Sequence, residues 1–379
     1  MTDNPGFFLY ILAFLLAIGP LVFVHELGHY AAGRWFGIKA EVFAVGFGRE
    51  VGGFTDKRGT RWKFGWLPLG GYVKFAGDMN PASQPDPEWL HLPAEERAQT
   101  FQAKPLWQRA IVVAAGPLTN FVVAILILAG FAAIYGVDRT PATIGIVQPG
   151  SPAAQAGIVP GDRIVGIDGR SIETFNQLAQ FTVMRPGEAV KVDLVRDSRP
   201  ASVDLTIGVR TERDRFGNET RLGRLGVGAS PDQRVYAPVS LLEAPVEGVR
   251  LTGTIIRATI DGLGQIISGR RSVEELGGPL RIAQVSGERL ALGWPAFIEL
   301  VAFISINLGF INLLPVPVLD GGHLMFYAIE AVRRKPVNPQ VVEWAFRGGV
   351  MAILALMLLV TFNDLGAFGV WRNLAGLIG

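Results

Sequence analysis

Four stretches of this chain carry no charged residue: Gly6 to Val24, Ala110 to Val137, Leu300 to Leu319 and Gly348 to Asn363. A bilayer core is about 30 Å thick and takes about 20 apolar residues of helix to cross. The first three runs reach that length directly. The fourth reaches it when Leu365 to Trp371 are added beyond the single Asp364. The pattern predicts four transmembrane helices, within residues 1–33, 106–137, 296–323 and 345–371. Met1 to Gly6 hold no Lys or Arg, and no small-residue cleavage site follows the first run. It therefore reads as a retained helix and not as a cleaved signal peptide.

Between the apolar runs the periodicity changes. In residues 34–105, Glu41 to Phe47, Arg61 to Trp66 and Gly70 to Phe75 read as short aromatic-rich strands joined by Gly-rich turns. Non-helical backbone is tolerated at membrane depth only where protein buries it or a wet cavity accepts it, so this loop predicts a membrane-associated β-element. In residues 139–230, Lys191 to Val195 and Ser202 to Ile207 alternate apolar and polar positions as strands do. Turn pairs at Pro149-Gly150, Pro160-Gly161, Asp168-Gly169 and Pro186-Gly187 punctuate them, and a helix is expected around Asn176 to Thr182. Within residues 240–295, Val249, Leu251, Ile255, Ile256, Leu263, Ile266 and Ile267 recur at helical spacing, broken by Arg250, Arg257 and Asp261. That spacing predicts an amphipathic interfacial segment, with a surface helix packed on the β-rich domain as the other reading.

Composition sharpens this picture. Hydrophobic residues make up 49% of the chain and charged residues 18%, against about 25% charged in an average soluble domain. That excludes disorder and argues against a wholly soluble protein. The 35 basic and 33 acidic residues balance too closely to suggest nucleic acid as a partner. With no cysteine, disulfides, thiolate metal sites and cysteine nucleophiles are excluded. Lys and Arg crowd the loop between the first two runs and recur at Arg333, Arg334 and Lys335, whereas the N-terminal tail has none. The positive-inside rule then puts both termini outside the cytoplasm and the 139–230 domain with them.

The sharpest chemical signal is His25-Glu26-Leu27-Gly28-His29. Positions i and i+4 share a helix face, so both imidazoles can bind one zinc while Glu26 acts as general base. Ionisable groups inside a membrane are costly and functional by default. A catalytic zinc needs a third protein ligand, for which His91, His323 and the acids are available. Asp320 follows directly on an uncharged run within Asn312-Leu-Leu-Pro-Val-Pro-Val-Leu-Asp-Gly-Gly-His323, and a divalent cation would supply the partner it needs. Pro315 and Pro317 should break the helix there.

Two resemblances emerge at these residues. The run Val147 to Gly157 followed by Gly161 to Gly169 resembles a bacterial PDZ domain. In the permuted form its peptide-binding strand comes last, which points to Leu225, Gly226 and Val227. Nearly end to end, the chain resembles the site-2 protease family of intramembrane zinc metalloproteases, of the bacterial regulator of sigma-E protease type. The motifs are His25 to His29, Pro68 to Asp78, Gly116-Pro-Leu-Thr-Asn120, Gly277-Gly278-Pro279 and Asn312 to His323.

The resemblance implies a polytopic α-helical membrane protein with an inserted extracytoplasmic PDZ domain, seated in the bacterial inner membrane. It implies one zinc held by His25, His29 and Asp320, with Glu26 as base. It also implies that Gly70, Gly71, Tyr72 and Val73 present substrate as an added strand, and that Asn312, Pro315 and Pro317 handle substrate near the site. The expected partners are a single-span transmembrane substrate, membrane lipid and an extracytoplasmic protease that cuts first. An anti-sigma factor is the leading substrate, with signal-peptide remnants next. The chain departs from the best-known members, which carry two tandem PDZ domains, by having room for one. A membrane-anchored PDZ adaptor with a degenerate metal site is the alternative. A metal transporter would want polar groups in several spans, and the second run offers only Thr119 and Asn120.

Overall fold

Unbroken apolar sequence closes its backbone hydrogen bonds within itself, and it does so here in four long helices. The computed structural model describes residues 7–79, 87–213, 219–230, 232, 235–270 and 277–367. Segments 8–35, 106–135, 294–312 and 339–366 are helices long and apolar enough to cross a membrane. The expected extension of the fourth through 368–371 lies outside the described residues. By their internal contacts the residues form two units. Of the described residues, the first comprises those within 7–128, 247–263 and 277–364, and the second those within 129–246, 264–270 and 365–367.

The first unit starts with α1 (Phe7–Trp35). Ala13, Ala17 and Leu21, four residues apart, are buried on one stripe of it, and the next turn on brings His25. Strands β1 (Ala40–Thr55) and β2 (Arg61–Phe75) follow. The two segments expected as separate strands, Arg61 to Trp66 and Gly70 to Phe75, are one continuous strand. Gly70, at φ 88°, takes the left-handed conformation open to a residue without Cβ, so the strand bends there without leaving the sheet. Gly46 and Gly48, also at positive φ, do the same for β1. The register folds the pair over on itself: Phe43 faces both Val73 and Trp62, and Ala44 both Tyr72 and Lys63. Phe43 stacks on Trp62 with ring centroids 4.3 Å apart.

A short helix α2 (Ala94–Ala98) leads to α3 (Leu106–Tyr135). Two glycines set how closely the helices approach. A Cβ on Gly28 would lie 2.5 Å from the Ala115 carbonyl oxygen, and one on Gly309 would lie 2.9 Å from that of Pro117. Both α1 and α8 (Trp294–Asn312) therefore meet α3 backbone to backbone.

The expected third span, 296–323, is corrected by the structure. Its helix ends at Asn312, and a separate helix, α9 (Asp320–Arg333), begins at Asp320. Pro315 and Pro317 have no N–H to continue the ladder. The turn between them is tight enough that a Cβ on Gly321 would lie 2.3 Å from the Leu313 carbonyl oxygen. Val318 is held at φ 89°, a strained conformation for a β-branched residue, costing on the order of 1–3 kcal/mol.

The expected amphipathic segment is two helices, α6 (Ala244–Ile267) and α7 (Pro279–Ala291). Leu251, Ile255 and Ile256 pack on Ala124, Leu128, Ala302 and Ile306 of α3 and α8. Thr259 donates to Asn307 Oδ1 at 2.9 Å. That stretch of the apolar face is thus covered by protein.

The last helix is α10 (Pro339–Ala367). Its Asp364, 3% exposed, accepts the N–H of Gly278 and the N–H of Arg281, both at 3.1 Å. It caps the start of α7, which has no cap of its own. A Cβ on Gly278 would lie 2.6 Å from that carboxylate. Asp364→Ala should cost about 2 kcal/mol, the upper end of the about 0.5–2 kcal/mol lost when a side-chain cap is removed from a helix N-terminus. Thermal unfolding in detergent tests this, and an unchanged melting temperature refutes the cap.

The second unit contains ten strands among its described residues, β3 (Val137–Asp138) to β12 (Tyr236–Ala237), which pair with each other. Strand β4 (Ile144–Val147) pairs with β11 (Val227–Ala229). Strands β5 (Arg163–Ile167), β6 (Arg170–Ser171), β7 (Ala189–Arg196) and β8 (Arg199–Thr206) make one sheet in the order β6-β5-β7-β8. Strands β9 (Gly208–Arg213) and β10 (Glu219–Arg224) form a hairpin. Helix α4 (Pro152–Gln155) is capped by Ser151, and α5 (Phe175–Val183) by a capping box of Thr174 and Gln177. The alternation read in Lys191 to Val195 buries Val192 and Leu194 against Ile144, Ile164 and Leu178. Asp162 is buried, which works against ionisation. The bidentate Arg196 guanidinium and the Val159 N–H outweigh that and hold the carboxyl below its usual range.

The candidate metal centre and its carboxylate

Helix periodicity places His25 and His29 one turn apart on α1, and the break after Asn312 places Asp320 at the start of α9. Their three donor atoms converge. His25 Nε2 lies 3.2 Å from His29 Nε2 and 3.2 Å from Asp320 Oδ2, and His29 Nε2 lies 3.5 Å from that same oxygen. Among the described residues, this trio is the one group of His, Asp and Glu able to hold a metal. A tetrahedral zinc with bonds of about 2.0–2.1 Å sets its ligand atoms about 3.3 Å apart. The observed triangle fits that ion. Asp320 Oδ2 is also buried and has no hydrogen-bond donor, as an oxygen reserved for a cation would be. As ligands, these three residues would leave a fourth position for water or substrate, as a catalytic zinc site requires.

The imidazoles are aimed from behind. His29 Nδ1 donates to the Val112 carbonyl at 2.9 Å, and His25 Nδ1 lies 3.0 Å from Asn120 Nδ2. Both partners are on α3. The Asn120 backbone carbonyl in turn accepts from Ser305 Oγ on α8 at 2.8 Å. Gly116 makes room for the second ring, since a Cβ there would lie 2.2 Å from His29 Nε2.

The trio opens on a cavity of about 330 Å³. Glu26 lines it, as do Gly70, Gly71, Tyr72 and Val73 of β2, together with Asn312, Val318 and His323. Glu26 is 8% exposed and lies against the strand, with a Cβ on Gly71 reaching to 2.9 Å from its Cγ. Residues Gly71 to Val73 pair with Phe43 to Val45 and, among the described residues, with no second strand on their other edge.

Pro315 and Pro317 shape the turn before Asp320 but do not line the cavity. His323 lines it and packs its ring 4.9 Å from Phe346, outside the trio, and His91 is exposed on a short 3-10 turn. Leu225, Gly226 and Val227 belong to the second unit. Leu225 is buried in its core, Gly226 turns at φ 77°, and the strand proper begins at Val227.

Residues 13–356 match the model of a family described as Peptidase family M50. A protein of Agrobacterium fabrum, described as "Putative zinc metalloprotease Atu1380", is 46% identical over 362 residues, covering 94% of this chain and 96% of the relative. Metalloprotease MmpA of Caulobacter vibrioides is 35% identical over 396 residues, covering 98% and 99%. Among solved structures, the PDZ domain of an SdrC-like protein from Listeria monocytogenes matches at 20% identity and a TM-score of 0.20, over 25% of this chain and 94% of that domain.

Proposed function

This chain belongs to peptidase family M50, the site-2 family of membrane zinc metalloproteases, and from that membership we propose that it cleaves peptide bonds inside the transmembrane segments of single-span proteins. The observation that carries this reading is the donor triangle of His25, His29 and Asp320 beside a buried Glu26, with both histidines and Glu26 on a helix long enough to span a membrane. The three residues would hold one zinc per chain. When bound, zinc supplies a Lewis acid that polarises the scissile carbonyl and lowers the pKa of water towards 7.

The chain's own residues do the rest. Glu26 takes a proton from the attacking water and returns it to the leaving nitrogen. A helix hides its carbonyls in its own hydrogen bonds, so the substrate must unwind before it can react. The open edge of Gly70 to Val73 offers backbone donors and acceptors to the unwound segment, which adds as a further strand. That edge runs past Glu26. Asn312 meets the substrate from the end of α8, and Pro315 and Pro317 keep the backbone before Asp320 out of helix.

In this reading both termini and the 139–230 PDZ domain face the periplasm across a bacterial inner membrane, and Leu225 to Val227 border a peptide groove. A first cut by an extracytoplasmic protease prepares the substrate, an anti-sigma factor or a signal-peptide remnant. An adaptor with a degenerate site would have no need of a closed ligand set and a carboxylate packed against an open strand edge.

Purified protein in lipid vesicles should cut a single-span substrate within its membrane segment. Cleavage should stop on chelation and return with zinc. Cleavage that survives full removal of metal would refute the assignment.

A further inference from the structure

Asn120 is fully buried in α3, in a stretch whose other polar side chain, Thr119, bonds the Ala115 carbonyl of its own helix. Its side-chain nitrogen lies 3.0 Å from His25 Nδ1, while its side-chain oxygen is buried without a hydrogen-bond partner. Which end of an amide is nitrogen and which is oxygen is decided by the hydrogen-bond network around it.

The neighbouring ring shows what that network requires. His29 Nδ1 faces the Val112 carbonyl, which can only accept, so His29 carries its proton on Nδ1 and keeps the Nε2 lone pair free for metal. His25 points its own Nε2 into the same triangle. To serve one cation it must hold the same tautomer, with a proton on Nδ1 and an acceptor opposite. The amide nitrogen cannot accept, but the amide oxygen can. Turning the amide over costs no hydrogen bond at its other end, where the oxygen now has none.

We infer that Asn120 is a positioning residue whose amide oxygen accepts the Nδ1 proton of His25 and so holds that ring in its zinc-binding tautomer. The inference rests on the reading of His25, His29 and Asp320 as a zinc site. It gives a function to the one side-chain amide in the uncharged run of α3, whose backbone carbonyl also accepts from Ser305 of α8. Partners that orient a metal-binding histidine typically contribute 10–100-fold in metal affinity.

The test is zinc affinity of the full-length protein, by competition with a chelator of known strength, for wild type, Asn120→Leu, Asn120→Asp and His25→Ala. Leucine keeps the volume and removes the acceptor, so zinc should bind about 10–100-fold more weakly. Aspartate can only accept when ionised, so Asn120→Asp should bind zinc at least as tightly as wild type. An Asn120→Leu protein with wild-type affinity overturns the inference, as does an Asn120→Asp protein as weak as Asn120→Leu.

Where Asn120→Leu fails to fold, nitrogen NMR of zinc-loaded wild type with labelled histidines decides. The chain has only four, and the His25 signal is the one missing in His25→Ala. A proton on Nδ1 is expected, and a ring protonated on Nε2 alone refutes the inference. Wild type without zinc would overturn the metal site and this inference together. Zinc-replete wild type indifferent to position 120 overturns the inference alone.

Discussion

Glu26→Gln is expected to abolish measurable cleavage while leaving zinc in place. Glutamine matches the shape of glutamate, so the substitution makes no cavity beside Gly71 and does not disturb His25, His29 or Asp320. What it removes is the group that accepts a proton. General bases contribute about 10²–10⁴-fold to rate, and cleavage in vesicles should fall by about that factor. Zinc content, measured on the same preparation, should match wild type. Substrate should still enter, because the strand edge at Gly70 to Val73 is intact. The variant should therefore retain uncut single-span proteins when isolated from native membranes, and these can be identified. Normal cleavage by Glu26→Gln would remove this carboxylate from the mechanism. Zinc lost together with activity would make it a structural support of the metal instead.

Gly116→Ala should disable the protein by a different route. The added methyl would lie 2.2 Å from His29 Nε2 and 2.5 Å from its Cε1, distances that real Cβ atoms do not tolerate. The ring has nowhere to retreat. Its Nδ1 is tied to the Val112 carbonyl one turn earlier on the same helix, and its Nε2 faces Asp320. Displacing it breaks the donor triangle, and zinc affinity should fall by at least the 10–100-fold seen when ligand orientation is lost, with activity following. The control is Gly130→Ala on the same helix, where an added Cβ meets nothing within 4 Å. There the exchange should stabilise by about 1 kcal/mol through helix propensity. Wild-type zinc binding by Gly116→Ala would show that His29 can move without breaking the site.

These two expectations differ in how far the sequence reaches. Glu26 was legible because its neighbours at i−1 and i+3 are histidines, and helix geometry alone puts those two rings on one face. The clash at Gly116 was not legible. Its partner lies 87 positions away, and nothing in the spacing of α3 says which ring its missing side chain accommodates. Asn120 carried a faint signal as a polar residue in an apolar run, yet the run could not say that it faces His25. Asp364 looked like an interruption of the fourth span. It is a cap for a helix that begins 85 positions earlier.

The sequence by itself determined the local elements: four long helices from four uncharged runs, the helix face shared by His25 and His29, strand alternation in the second unit, and the helix break at Pro315 and Pro317. Each is dictated by neighbours within a few residues, through backbone hydrogen bonding and side-chain period. Only the tertiary structure decided that Asp320, already the candidate third ligand in the sequence, brings its Oδ2 within 3.5 Å of both histidine nitrogens, that the Val112 carbonyl and the Asn120 amide lie behind the two rings, and that β2 runs unbroken past Glu26 with one edge open among the described residues. Those depend on groups brought together from distant parts of the chain, where helices touch at glycines and buried polar atoms must find partners. A periodicity along the chain carries no record of such distances.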